Sequence, residues 1–161
     1  GGGGCGGFVA GTETLAGLTM SDFLSSEEAL DDFLGGFEGG TWPIAEWRHR
    51  HHLGVAACYL TDGRGSAMDR LRTNIRSYNV SQGGENTEDR GYHETITVAW
   101  IKLIGRLLRE VQPIGRAEFA ALAVEHFARQ RDIFRRYYDF DVEKSIQARR
   151  EWVEPTLQPL D

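Results

Sequence analysis

Five histidines, His49, His51, His52, His93 and His126, are the side chains of this sequence best suited to chemistry. Three of them crowd into Arg48-His49-Arg50-His51-His52. On a helix, positions three and four apart share a face. His49, His52, Leu53, Ala56 and Leu60 then form one stripe, apolar except for its two imidazoles. His51 falls on another side with Trp47, Val55 and Cys58, and reads as a surface or half-exposed residue. A second stripe runs His93, Ile96, Thr97, Trp100, Ile104 and Leu107, so His93 is expected to face the core. His126 shares a stripe with Phe119, Leu122, Ala123 and Ile133, a third inward position.

Inward imidazoles from two helices are ligand types for a divalent transition metal. His49, His52 and His93 are the expected ligands, with zinc, iron and copper all open. Glu94 would be a fourth ligand or a general base. Tyr92, Thr95 and Thr97 would orient a substrate or the ligands themselves. Such an ion polarises a carbonyl, acidifies a bound water or binds oxygen. Hydrolase, lyase or isomerase, and oxygenase chemistry all remain open. Trp47, Tyr59 and Trp100 are candidates for an apolar pocket wall, and the Gly-rich loop from Asn79 to Arg90 for a lid. The Glu46-x-x-His49 spacing occurs in di-iron bundles, but a second clear copy is missing.

Two other readings stand beside the metal-dependent enzyme acting on a small-molecule substrate. One is a non-catalytic helical module that binds a small ligand or a metal. The other is an interaction protein whose histidines form a buried hydrogen-bonded network without metal. Convergence of the His49, His52 and His93 rings onto one cavity separates these readings.

The elements that must position these residues read as helical. Ser25 with Glu28 has the capping-box spacing, and Ala29, Leu30, Phe33 and Leu34 supply an apolar face ended by Gly35-Gly36. Thr41-Trp42-Pro43 opens a second helix expected to run to about Leu60. A third spans Ser66 to about Tyr78. A long helix is expected over Tyr92 to Val111, ended by Gln112-Pro113-Ile114-Gly115. Another begins near Arg116 and reaches about Tyr138, with room for a break midway. The tail from Glu151 to Leu160 holds two prolines and reads as extended. The sum is an all-α, single-domain bundle of five to six helices with an extended C-terminal tail.

The 161 residues are 40% hydrophobic and 26% charged, with a net charge of −6. That supplies a core without disulfide staples. It argues against a generally basic nucleic-acid binder. No apolar run approaches the roughly 20 residues of a membrane helix. Residues 1–19 hold eight of the 20 glycines and no Lys or Arg, and read as a flexible or vector-derived leader before a domain over 20–161. Cys5 and Cys58 make no disulfide framework, so a reducing cytoplasm is the simplest compartment. Neither a nucleic acid nor a membrane is an expected partner, and the several aromatics make a homodimer plausible. The basic run from Arg129 to Arg136 reads as a solvated face.

Trp47-Arg48-His49-Arg50-His51-His52-Leu53, Tyr92-His93-Glu94-Thr95-Ile96-Thr97 with Trp100, Tyr137-Tyr138, and the closing Ala148-Arg149-Arg150-Glu151-Trp152-Val153-Glu154-Pro155-Thr156-Leu157-Gln158-Pro159-Leu160 form a further pattern. From about Trp42 to Leu160 it resembles an uncharacterised bacterial family. The departures are Thr156, where an Asp is more usual, and a longer loop before Tyr92. The resemblance implies that His49, His52, His93, Glu94 and Thr97 belong to one site, and implies no activity.

Overall fold

The computed structural model describes residues 22–112 and 115–160, and these are all-helical. The expected leader over residues 1–19 lies outside the described residues. The α-helices are α1 (Glu27–Glu38), α2 (His49–Thr61), α3 (Ala67–Ser81), α4 (Glu94–Glu110), α5 (Arg116–Phe127) and the short α6 (Ile146–Arg150). Single 3-10 turns lie at Asp22–Leu24, Ile44–Glu46, Ile133–Arg136 and Val142–Lys144. No helix among the described residues is long and apolar enough to cross a membrane.

Helix α2 is the centre of the bundle. It packs most extensively on α5 and also meets α3 and α4. Its Gly54-Val55-Ala56-Ala57-Cys58 run is buried, and α5 brings the buried Ala120 and Ala123. Small side chains let helix axes approach closely. Gly54 has a specific reason to be glycine: a Cβ there would lie 2.7 Å from Phe23 Cε2. Burial pushes the Cys58 thiol up to about 12, so this cysteine is an inert core residue.

Several boundaries differ from the sequence expectation. Helix α1 is capped by Ser26, whose hydroxyl accepts from the Ala29 N–H, rather than by a Ser25–Glu28 box. It continues through Gly35-Gly36 to Glu38, because Phe37 is buried and draws another turn into the core. The helix expected from Trp42 to Leu60 is split. Trp47 and Arg48 are extended, and α2 starts at His49. The cause is local: the Arg48 N–H donates to His51 Nδ1 at 3.0 Å, and the His51 N–H donates to the Arg48 carbonyl at 3.0 Å. Helix α3 runs three residues past Tyr78. The helix expected from Arg116 to Tyr138 stops at Phe127.

Two polar clamps fix the helices that carry the site. Arg116 at the start of α5 donates to Glu27 and Asp31 of α1. Arg72 of α3 donates from Nε to both Glu94 oxygens, at 3.1 and 3.2 Å, joining α3 to the start of α4. The extended tail expected from the prolines is present and pinned. Tyr138 donates its hydroxyl to the Val153 carbonyl, and the Thr156 and Leu157 N–H groups donate to the Tyr137 carbonyl. Leu160 is buried.

Candidate functional site

A half-open cavity of about 490 Å³ lies between the first turns of α2, the side of α3, the start of α4 and the turn at Ile133–Arg136. Its walls include Leu53, Leu71, Ile75, Ile96 and Trp100. Its size is that of a small-ligand site. His49, His52, His93, Tyr92 and Thr97 all line it. Five of the six expected site residues are thus brought together, and Glu94 is not among the lining residues.

His49 and His52 present their rings from the first turn of α2. Trp100 packs on the His49 ring at 5.1 Å, and Trp47 meets the edge of His52 at 4.9 Å, centroid to centroid. His49 Nε2 is closed off from solvent and has no hydrogen-bond partner among the described residues. Desolvation and the nearby Arg131 charge hold His49 below the usual imidazole range, and the Phe127 carbonyl opposes them. His52 is exposed on the cavity side. The dense wall behind it and the His49 and His51 rings push its pKa down, and solvent at its open edge tempers that shift. Both rings are therefore neutral near pH 7; His49 gives its one proton to the Phe127 carbonyl, which leaves Nε2 an acceptor, while His52 can donate and accept.

His93 has a different role. It is the N-cap of α4, not a residue within it. The Ile96 N–H donates to Nδ1 at 3.1 Å, and Nε2 lies 2.8 Å from the Val142 carbonyl, 49 residues away. A carbonyl only accepts, so the two partners assign the proton to Nε2. Burial lowers the His93 pKa first; the Val142 carbonyl bond opposes that, and the Arg149 charge adds to it. Both nitrogens are committed to backbone.

Glu94 points away from the cavity toward Arg72 and takes the Tyr92 hydroxyl at 2.6 Å on Oε2. Desolvation would raise its pKa, but the Arg72 and Tyr92 hydrogen bonds win and hold it below the usual carboxylate range. Tyr92 is buried under the Arg76 guanidinium, and burial with the Glu94 bond pushes its phenol up. Neither group is free for proton transfer with a ligand. The Thr97 hydroxyl donates to the His93 carbonyl at 2.7 Å. Thr95 is fully buried: it donates to the Glu151 carbonyl and accepts from the Val153 N–H, which staples the tail to α4.

A three-histidine metal centre needs three lone pairs converging at about 2.0–2.1 Å. His93 has none left, and Glu94 is engaged elsewhere. No group of three or more His, Cys, Asp or Glu residues able to hold a metal occurs among the described residues. The donor set therefore does not fit the expected zinc, iron or copper centre.

Other expectations are corrected by position. His51 is buried, stacks on Phe23 at 4.6 Å and caps α2, so it is neither surface nor half-exposed. His126 is exposed, because α5 buries Phe119, Ala120, Ala123 and Phe127 instead. Tyr59 is in the core, bonded to Glu38 and Asn74, and does not reach the cavity. Glu46 is exposed in its own short turn. The loop expected to be a lid is tied down: Asn86 donates to the Arg76 carbonyl and accepts from the Asn79 amide and the Tyr92 N–H. Gly91 then turns the chain at a φ of +82°, where a Cβ would strike the Glu85 carbonyl.

Sequence reasoning missed Arg131 and Glu143, which stand at the cavity edge. Nothing in helical spacing finds Arg131, since it follows the end of α5 in an irregular connection. No family model, no curated protein and no solved structure matches this chain.

Proposed function

We propose that the protein is a small-molecule-binding helical domain that uses the neutral His52 imidazole, backed by His49, for hydrogen bonding and acid–base work on its ligand. The observation that carries this reading is the pairing of two imidazoles, neither hydrogen-bonded through every nitrogen, on one apolar-walled cavity. A neutral imidazole offers one N–H donor and one nitrogen acceptor at physiological pH, so it can meet either kind of polar group on a ligand. His93, Tyr92 and Glu94 act here as the frame that holds α4 and the tail against α2 and α3. This reading gives up the metal and keeps the small-molecule substrate.

The test is a fragment titration of the full chain followed by amide NMR, with indole, benzamide and 3-phenylpropionate as probes. Shifts are expected to concentrate in His49–Ala56, Tyr92–Trp100 and Phe134. His52→Ala is expected to weaken binding about tenfold, the loss of one good hydrogen bond, with an unchanged melting temperature. Absence of saturable shifts for every probe, or shifts confined to another face, would overturn the reading.

A further inference from the structure

We infer that the cavity selects a monoanionic carboxylate with an aromatic or branched apolar body, and that Arg131 is the residue that grips the carboxylate. This inference rests on the proposed function and names the class of its ligand.

The argument starts from the charges at the cavity. Its lining holds two arginines, Arg48 and Arg131, and one carboxylate, Glu143, with the imidazoles neutral. The local balance is about one positive charge in a protein of net −6. Arg48 already donates its Nη1 to the Ala45 and Trp47 carbonyls, both at 2.8 Å. Arg131 makes no ion pair or side-chain hydrogen bond among the described residues, and it is exposed. Backbone bonds of its neighbours fix the turn that carries it. The Gln130 N–H donates to the Phe127 carbonyl and the Ile133 N–H to the Gln130 carbonyl, which turns the chain back over the cavity. The same turn sets Phe134 edge-on to Trp100 at 5.2 Å. Arg131 lines the same cavity as His49, and its charge stands second to desolvation in holding that imidazole low.

A guanidinium binds a carboxylate through two parallel hydrogen bonds. With two arginines and one carboxylate on the lining, a bound monoanion brings the local charge to about zero and a dianion makes it negative, so a single charge is favoured. The apolar side of the cavity, from Leu71 and Ile75 to Trp100, takes a hydrocarbon or ring body. His52 then faces the polar end of the ligand, where an acid–base group is useful.

The experiment is a calorimetric titration of the full chain at about pH 7.5 with three probes sharing a ring: 3-phenylpropionate, 3-phenylpropionamide and phenyl phosphate. The acid is expected to bind at least about tenfold more tightly than the amide and the phosphate. Arg131→Gln is expected to bring the acid down to the level of the amide while leaving the amide affinity and the melting temperature unchanged. Equal binding of acid and amide to the wild type, or an acid preference that survives Arg131→Gln, would overturn the inference and leave the pocket reading standing. Tighter binding of phenyl phosphate than of the acid would overturn the monoanion class. Failure of all three probes to bind would count against the pocket reading itself.

Discussion

His93→Ala is expected to lower the unfolding free energy by about 3 kcal/mol, and His93→Asn by clearly less. The loss has three sources. The α4 N-cap bond to the Ile96 N–H disappears, typically worth about 1 kcal/mol. The Val142 carbonyl loses its donor in a buried place, at a cost of about 1–3 kcal/mol. The ring also leaves a gap where it was only 8% exposed. Asparagine restores the cap but does not reach Val142, which separates the first source from the second. Urea denaturation measures both variants, with and without a chelator. A loss below about 1 kcal/mol, or a loss that the chelator reproduces in the wild type, would contradict the backbone role assigned to His93.

Stability is expected to fall strongly between pH 7 and pH 5, before carboxylates titrate. Burial, then the Arg50 charge, pushes His51 down to about 4 in the folded chain, against an ordinary value of 6.5. Below 6.5 the unfolded chain takes up a proton that the folded chain refuses. The contribution of His51 is therefore complete above pH 6.5, is lost as pH falls toward 4, and changes no further below that. By pH 5 this amounts to about 2 kcal/mol from His51 alone. His49 and His93 are depressed for the same leading reason, desolvation, and add in the same direction. At Glu94 and Asp62 desolvation pushes upward, but arginine hydrogen bonds prevail and hold both low. Their contributions are present above the ordinary carboxylate values and vanish only in more acid solution. Urea midpoints at pH 7, 6 and 5 check this, and His51→Asn is expected to flatten the curve. A wild-type stability that is level across this range would refute the buried neutral state of these imidazoles.

The positions of the helices were largely readable, because apolar spacing and caps are local. Of the expected inward stripe, His49, Leu53 and Ala56 line the cavity wall, while His52 lines it as an exposed residue and Leu60 does not reach it. What could not be read depends on residues distant in sequence. His51 looks half-exposed from its own helix, yet Phe23, Phe33 and Trp47 close around it. His93 looks like a helical residue with a free ring, yet one turn of cap geometry and a carbonyl from Val142 take both nitrogens. Glu94 looks like a ligand until Arg72 of another helix claims it. His126 shows the limit of periodicity: it sits beside Phe127 in sequence but one step off the buried face of α5. Arg131, the residue to which the ligand class is assigned, lies outside any helix and carries no periodic signal at all.

Nitrogen-detected NMR of the imidazoles tests the central division of labour most directly, recorded before and after adding 3-phenylpropionate and, separately, zinc. His93 should show a protonated Nε2 and an unprotonated Nδ1 throughout, unmoved by either addition, while His52 shifts with the carboxylate. A His93 signal that changes tautomer or moves to metal-bound values on adding zinc, with His52 indifferent to the carboxylate, would contradict it.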